Sequence, residues 1–137
     1  MKPINLEEIQ RLYQTAHFIR HLGMRLVDAG EGWCETEIEI GERHQQQDGF
    51  IHAGVQATMA DHSAGTAAAT LIRPGQYVLT VEFKINLLRP AQGERLRCRA
   101  QVLKPGKSLS VVESELYTQK LVSKATVTLA VLDKALD

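Results

Sequence analysis

The chain has 137 residues, room for one domain with one core, and it shows no repeat, linker or low-complexity stretch. Its sixteen basic and sixteen acidic residues cancel, which argues against a nucleic-acid binder, and no apolar run reaches the length of a membrane span. Met1-Lys2-Pro3 leads into a polar amphipathic stretch instead of a secretory signal, so the expectation is a cytoplasmic protein with neither nucleic acid nor membrane as partner.

Asn5-Leu6-Glu7-Glu8 fits a capping box, and Leu6, Ile9, Leu12, Tyr13 and Ala16 follow at helical spacing, giving an N-terminal helical segment within residues 1–22. His17 to Leu22 reads as a short irregular piece ending at Gly23, with Phe18 and Leu22 packed against the domain ahead of the alternative that they wall a binding pocket. No acid or cysteine accompanies His17 and His21, so they read as solvated histidines and not as metal ligands.

Met24 to Ala29 and Trp33 to Ile40 read as two strands joined by Gly30-Glu31-Gly32, a hairpin signal. In the second, Glu35, Glu37 and Glu39 alternate with Cys34, Thr36 and Ile38, which predicts one wet face with all three acids at the surface. Cys34 and Cys98 both fall within such alternation and are expected to be buried free thiols.

Gln46 to Thr70 is a polar loop feeding a helix. The run holds seven alanines and no proline, which predicts a helix from about Ala53 to Thr70, stopped at Arg73-Pro74-Gly75. Steps of three and four place Gly54, Thr58, Asp61, Gly65 and Ala68 on one stripe of small residues around a lone carboxylate. Asp61 and His62 are the only ionisable groups between Ala53 and Ile72, and a lone acid on such a helix is costly if buried without purpose.

Tyr77 to Leu88 alternates as a strand, and Arg89-Pro90-Ala91-Gln92-Gly93 turns the chain into Arg95 to Lys104. There Leu96, Cys98, Ala100 and Val102 face one way while Arg95, Arg97, Arg99 and Gln101 face the other. After Pro105-Gly106, Leu109 to Thr118 and Val122 to Leu132 complete an α+β pattern in which one antiparallel sheet covers one helix.

The order Gln46, Gly49, His52, Ala53-Gly54 and Asp61 resembles the hotdog-fold acyl-CoA thioesterases, in particular the PaaI-like, phenylacetate-pathway branch, over about Phe18 to Leu132. That branch commonly has Asn at the position of Gln46 and Gly at that of Ala53; a Gln occurs in related branches, and Ala still offers its backbone N–H. The resemblance implies a hotdog fold, an antiparallel sheet wrapped around one long central helix, and an acyl-CoA thioester as substrate with no separate cofactor or metal.

Thioester hydrolysis needs a donor for the carbonyl oxygen as it gains charge, and a base or nucleophile. The first N–H groups of a helix lack intrahelical partners, so Ala53 N–H is the candidate donor, with Gly54 as alternate. Asp61 is the candidate either to activate water or to attack the thioester carbon. Gln46 is a candidate to orient carbonyl or water, or else a solvated loop residue. His52 is expected to hydrogen-bond the loop, and Thr80 matches a hydroxyl that holds water in the family. Arg89, Lys104 and Lys107 are loop cations suited to coenzyme A phosphates.

Eight residues at about 1.5 Å rise separate Ala53 from Asp61 by roughly 12 Å along one helix, too far to serve one carbonyl. Donor and acid must then come from different subunits, which predicts a homodimer with two sites across a twofold axis. Further pairing into tetramers is implied by the resemblance. The competing readings are a hotdog acyl-thioester dehydratase or hydratase, which usually pairs histidine with an acid, and a non-catalytic acyl-CoA binding module.

Overall fold

The computed structural model of the chain describes residues 5–134; the reading of Met1-Lys2-Pro3, and of the last three residues as part of the same domain, falls outside them. Asn5 caps α1 (Leu6–Gln14) by accepting from Glu8 N–H at 3.3 Å, as the capping-box spacing predicts. The piece expected to be irregular is instead a second helix, α2 (His17–Leu22). Gly23 makes it possible: at φ 79° it takes the left-handed conformation open to glycine, and its N–H and that of Met24 close onto the last carbonyls of the helix. Phe18 does not pack as expected, since it is 60% exposed on the outer side of α2.

Strands β1 (Arg25–Gly30) and β2 (Trp33–Glu39) form the expected hairpin. The long helix α3 (Ala53–Ala69) follows, then β3 (Gln76–Leu87), β4 (Arg95–Lys104), β5 (Leu109–Tyr117) and β6 (Leu121–Asp133). All six strands join one antiparallel sheet in the order β1-β2-β4-β5-β6-β3, curved around α3. This is the hotdog arrangement that the resemblance implies.

Register sorts the side chains between the two faces. Thr36 stands opposite Cys98, Cys98 opposite Leu116 and Val112 opposite Val127, and these residues are buried under α3. The helix is sequestered because its inward residues are small, so the strands approach closely enough for side chain to meet backbone. Cys34 Sγ donates to Ser63 O at 3.2 Å and Ser114 Oγ to Ala60 O at 2.8 Å, while Thr36 Oγ1 and Ser63 Oγ share a hydrogen bond at 2.8 Å. Both cysteines are free and buried, and burial pushes the Cys98 thiol up to about 11 and Cys34 well above its ordinary value.

On the outer face Glu35, Glu37 and Glu39 of β2 stand opposite Arg99, Arg97 and Arg95 of β4. Arg99 bonds Glu35 at 2.6 Å and lies 4.7 Å over the Trp33 ring. Glu37 corrects the expectation of three surface acids: it is only 7% exposed, bonded by Arg25 and approached by Arg95 at 3.5 Å, whose aliphatic stems cover it.

Strand β3 is a further departure. It forms one edge of the sheet, and a bulge between Thr80 and Glu82 exchanges which side chains face inward. Thr80, Phe83, Ile85 and Leu87 stand opposite inward Leu129, Val127, Ala125 and Ser123, whereas Tyr77 and Leu79 face outward. Instead of one wet and one buried face, β3 exposes apolar groups on both: Leu79 is 57% exposed, Val81 55% and Phe83 42%.

Candidate functional site

The polar stretch before α3 is a folded-back loop, held at its base by a bridge between Gln45 and Ile51 and by Gln46 N–H donating to Phe50 O at 2.8 Å. Gly49, at φ 87°, makes the reversal that a residue with a Cβ would resist. His44 pins the loop from below. Its Nδ1 accepts from Gly41 N–H at 2.9 Å, so Nε2 carries the proton and donates to Leu22 O at 2.8 Å, while its carbonyl accepts from His52 N–H. This buried residue is absent from the expectations, since the acceptor that anchors its Nε2, Leu22 O, lies 22 residues away on α2.

His52 is the N-cap of α3, and its Nδ1 accepts from Gly54 N–H at 2.8 Å. That bond ties the His52 ring to the first turn of the helix and occupies the N–H of Gly54, the alternate donor. Val55 and Gln56 N–H both turn to His52 O. Among the described residues no group accepts from Ala53 N–H, which stands exposed at the positive end of a 17-residue helix.

Ala53 opens onto a cleft of about 400 Å³. Gln46 shares it, with Oε1 turned inward to accept from Asp48 and Phe50 N–H, so that its amide N–H groups are free of partners among the described residues. Phe50, Ile51, Leu87, Leu88, Pro90 and Ala91 make the rest of the wall largely apolar. Arg89 stands on the rim, its guanidinium donating to Leu121 O at 3.0 Å. Gln56 also lines this cleft, and nothing in the expectations anticipates it.

Asp61 lies outside that cleft, two turns further along α3. Thr80 Oγ1 donates to Asp61 Oδ1 at 2.7 Å, bringing together two residues that sequence places 19 apart. The second carboxylate oxygen has no hydrogen-bond partner among the described residues, and the Thr80 hydroxyl keeps its lone pairs. Of the predicted stripe, Gly54 is exposed, Thr58, Asp61 and Gly65 are half-buried, and Ala68 is buried. His62 points elsewhere: its Nε2 meets Tyr13 O at 3.0 Å and its ring packs 4.6 Å from the Tyr13 ring. Burial lowers its pKa, opposed by the Tyr13 carbonyl and by Asp61.

Lys107 lines a second cleft of about 280 Å³ at the far end of α3, with Arg73, Ala68, Leu71 and Ser110, and the Ser110 hydroxyl reaches the neighbouring Lys104 carbonyl. The three candidate phosphate cations therefore divide between the two ends of the helix. Among the described residues no group of three or more His, Cys, Asp or Glu could hold a metal, and no helix is long and apolar enough to cross a membrane.

A family model described as the thioesterase superfamily matches residues 48–125, more than half of the chain. The chain is 32% identical over 120 residues to human acyl-coenzyme A thioesterase 13, covering 86% of this chain and 84% of that protein. It is 30% identical over 115 residues to the 1,4-dihydroxy-2-naphthoyl-CoA hydrolase of Listeria monocytogenes, covering 82% and 94% of the two. Among solved structures, a thioesterase family protein from Silicibacter pomeroyi matches at TM-score 0.89 and 34% identity over 93% of this chain and 97% of that one.

Proposed function

Because the chain belongs to the thioesterase superfamily, and so is a thioester hydrolase, we propose that it cleaves an acyl-CoA thioester into free acid and coenzyme A at sites shared between two subunits. The observation that carries this reading is the pair of half-sites on one helix: an Ala53 N–H without a partner at its start, and a carboxylate held by Thr80 two turns on. In the dimer, Ala53 N–H donates to the thioester carbonyl oxygen as it becomes an oxyanion, supported by the Gln46 amide. The Asp61 of the other subunit takes a proton from water as the water oxygen bonds the carbonyl carbon. When the C–S bond breaks, the same proton passes to the departing thiolate. Direct attack by Asp61, through an anhydride that water then opens, uses the same groups.

The edge strand β3 supports the dimer. A long apolar edge with unpaired backbone groups is a template for pairing, and antiparallel pairing of two β3 edges continues the sheet and brings the open faces of two α3 helices together. Phe83 and Leu87, inward-facing but uncovered within one chain, become walls of the shared chamber. Pairing of two dimers uses the outer corner beside that edge, where Leu79, Ala130 and Leu109 form one row across β3, β6 and β5. In this reading Arg89, on the rim of the Ala53 cleft, meets a coenzyme A phosphate of the same site, and Lys107, which lines the second cleft, together with Lys104 meets one arriving at the far end of the helix.

A panel of acyl-CoA thioesters, assayed by released thiol, tests the reading. Hydrolysis of at least one member, lost in Asp61→Asn while acyl-CoA binding persists, is the expected result. Absence of thiol release across the panel would overturn it.

A further inference from the structure

The loop before α3 has two arms, and they are fastened to different parts of the molecule. The outgoing arm, which leads into Ala53, is held by the β3–β4 connection and by α3: Ile51 N–H donates to Ala91 O at 2.8 Å, and Ile51 O accepts from Gln56 Nε2 at 3.1 Å. The incoming arm, which carries Gln46, reaches α2 instead. Arg43 donates to His21 O at 2.6 Å and His44 Nε2 to Leu22 O at 2.8 Å, two successive side chains on two successive carbonyls. Those carbonyls are free of helical partners because α2 ends there, Gly23 and Met24 N–H having turned back to Arg20 and Ile19. Among the described residues, these two are the only hydrogen bonds from positions 41–48 to a helix or strand.

Of the two, His44 is the firm one. Arg43 is exposed, so water competes for its bond, whereas the His44 ring is 1% exposed. With Nδ1 accepting from Gly41 N–H and Nε2 donating to Leu22 O, both ring nitrogens are engaged by backbone, which leaves the imidazole one orientation. The His44 carbonyl meanwhile accepts from His52 N–H at 2.9 Å, closing one arm on the other. Gln46 follows His44 by two residues, and Ala53 follows His52 directly.

Resting on the site proposed above, we infer that His44 is a positioning residue for the oxyanion half-site: by tying the incoming arm to the Leu22 carbonyl, it sets where the Gln46 amide stands relative to Ala53 N–H. It touches no substrate and acts through Gln46, with α2 as the fixed point. Charge grows on the carbonyl oxygen only as the reaction proceeds, so a displaced donor costs turnover more than affinity.

The test measures kcat and KM for His44→Ala, His44→Gln and His44→Asn on an acyl-CoA that the wild type hydrolyses, at a temperature where circular dichroism shows each variant folded. In His44→Ala, kcat should fall about tenfold or more while KM stays within about threefold. His44→Gln keeps a donor near the place of Nε2 and should recover most of that loss; His44→Asn keeps only an acceptor for Gly41 N–H and should not. In a Gln46→Ala background, His44→Ala should cost less than about twofold more. An unchanged kcat in folded His44→Ala, or the same loss with and without Gln46, would overturn the inference. Should His44→Ala fail to fold, the Gln and Asn variants decide, and equal kcat in the two overturns it. Hydrolysis that Asp61→Asn abolishes and His44→Ala leaves untouched would sink this inference alone. No hydrolysis by the wild type across the acyl-CoA panel would sink the proposed function with it.

Discussion

Thr80 divides the two oxygens of Asp61, one bonded to its hydroxyl at 2.7 Å and the other without a hydrogen-bond partner among the described residues. Asp61→Asn, similar in shape but unable to take a proton, should lower kcat by about 10²–10⁴ with little change in substrate affinity. Thr80→Val removes the orienting hydroxyl and should cost about tenfold in kcat. Its KM should hold, because the residue acts through Asp61 and not on the acyl group. Unimpaired turnover in both variants, measured by thiol release, would remove the pair from the mechanism. His62 acts on stability. Burial first, against the Tyr13 carbonyl and Asp61, lowers its pKa from the ordinary 6.5 in the folded chain. As pH falls below about 6.5 the unfolded chain takes up the proton first, so stability is lost in that window, down to the lowered folded value. The melting temperature should drop between pH 7 and pH 5, and His62→Gln should flatten that drop. Asp61 is legible in sequence because it is the one acid on an uncharged alanine-rich helix. Glu37 and Gln56 are not: strand alternation puts Glu37 outside but cannot foresee that Arg25 and Arg95 fold over it, and an amide among alanines carries no sign that its oxygen lacks a donor.

At the scale of elements, α3 was the most legible part of the chain, since alanine content and the Arg73-Pro74-Gly75 stop fix both ends and the observed helix ends one residue earlier, at Ala69. The six strands follow from alternation and turn signals, with ends shifted by at most one residue. The misreading of α2 is physical: six residues are too few for a periodic signal, and the helix exists through its Gly23 cap and its docking at Ile19. β3 misleads for another reason. Its bulge at Val81 breaks the period-two code midway, and its exposed apolar groups fit the proposed dimer seam. Phe83→Glu places a charge in the proposed dimer seam while leaving the chain's own core untouched, because Phe83 is 42% exposed in the single chain. The variant should keep its circular dichroism spectrum, elute as a monomer with mass confirmed by light scattering, and lose hydrolysis. A dimeric, active Phe83→Glu would place the interface elsewhere.

In the proposed dimer each chain is half of two sites. One end of α3 gives the Ala53 N–H, the Gln46 amide and an apolar cleft; the middle gives the Asp61–Thr80 pair. A rigid helix keeps these about 12 Å apart, so neither end can complete the chemistry with the other within one chain. The measurement that bears most directly on this claim is complementation between two inactive variants. Asp61→Asn lacks the acid, and Ala53→Pro lacks the donor at a first-turn position where proline fits a helix. Each alone should be inactive. Mixed in equal amounts after subunit exchange, half of the dimers carry one intact site of two, so activity should recover to about a quarter of wild type. No recovery, with mixed dimers demonstrated by mass spectrometry and both variants folded, would contradict a site shared between subunits.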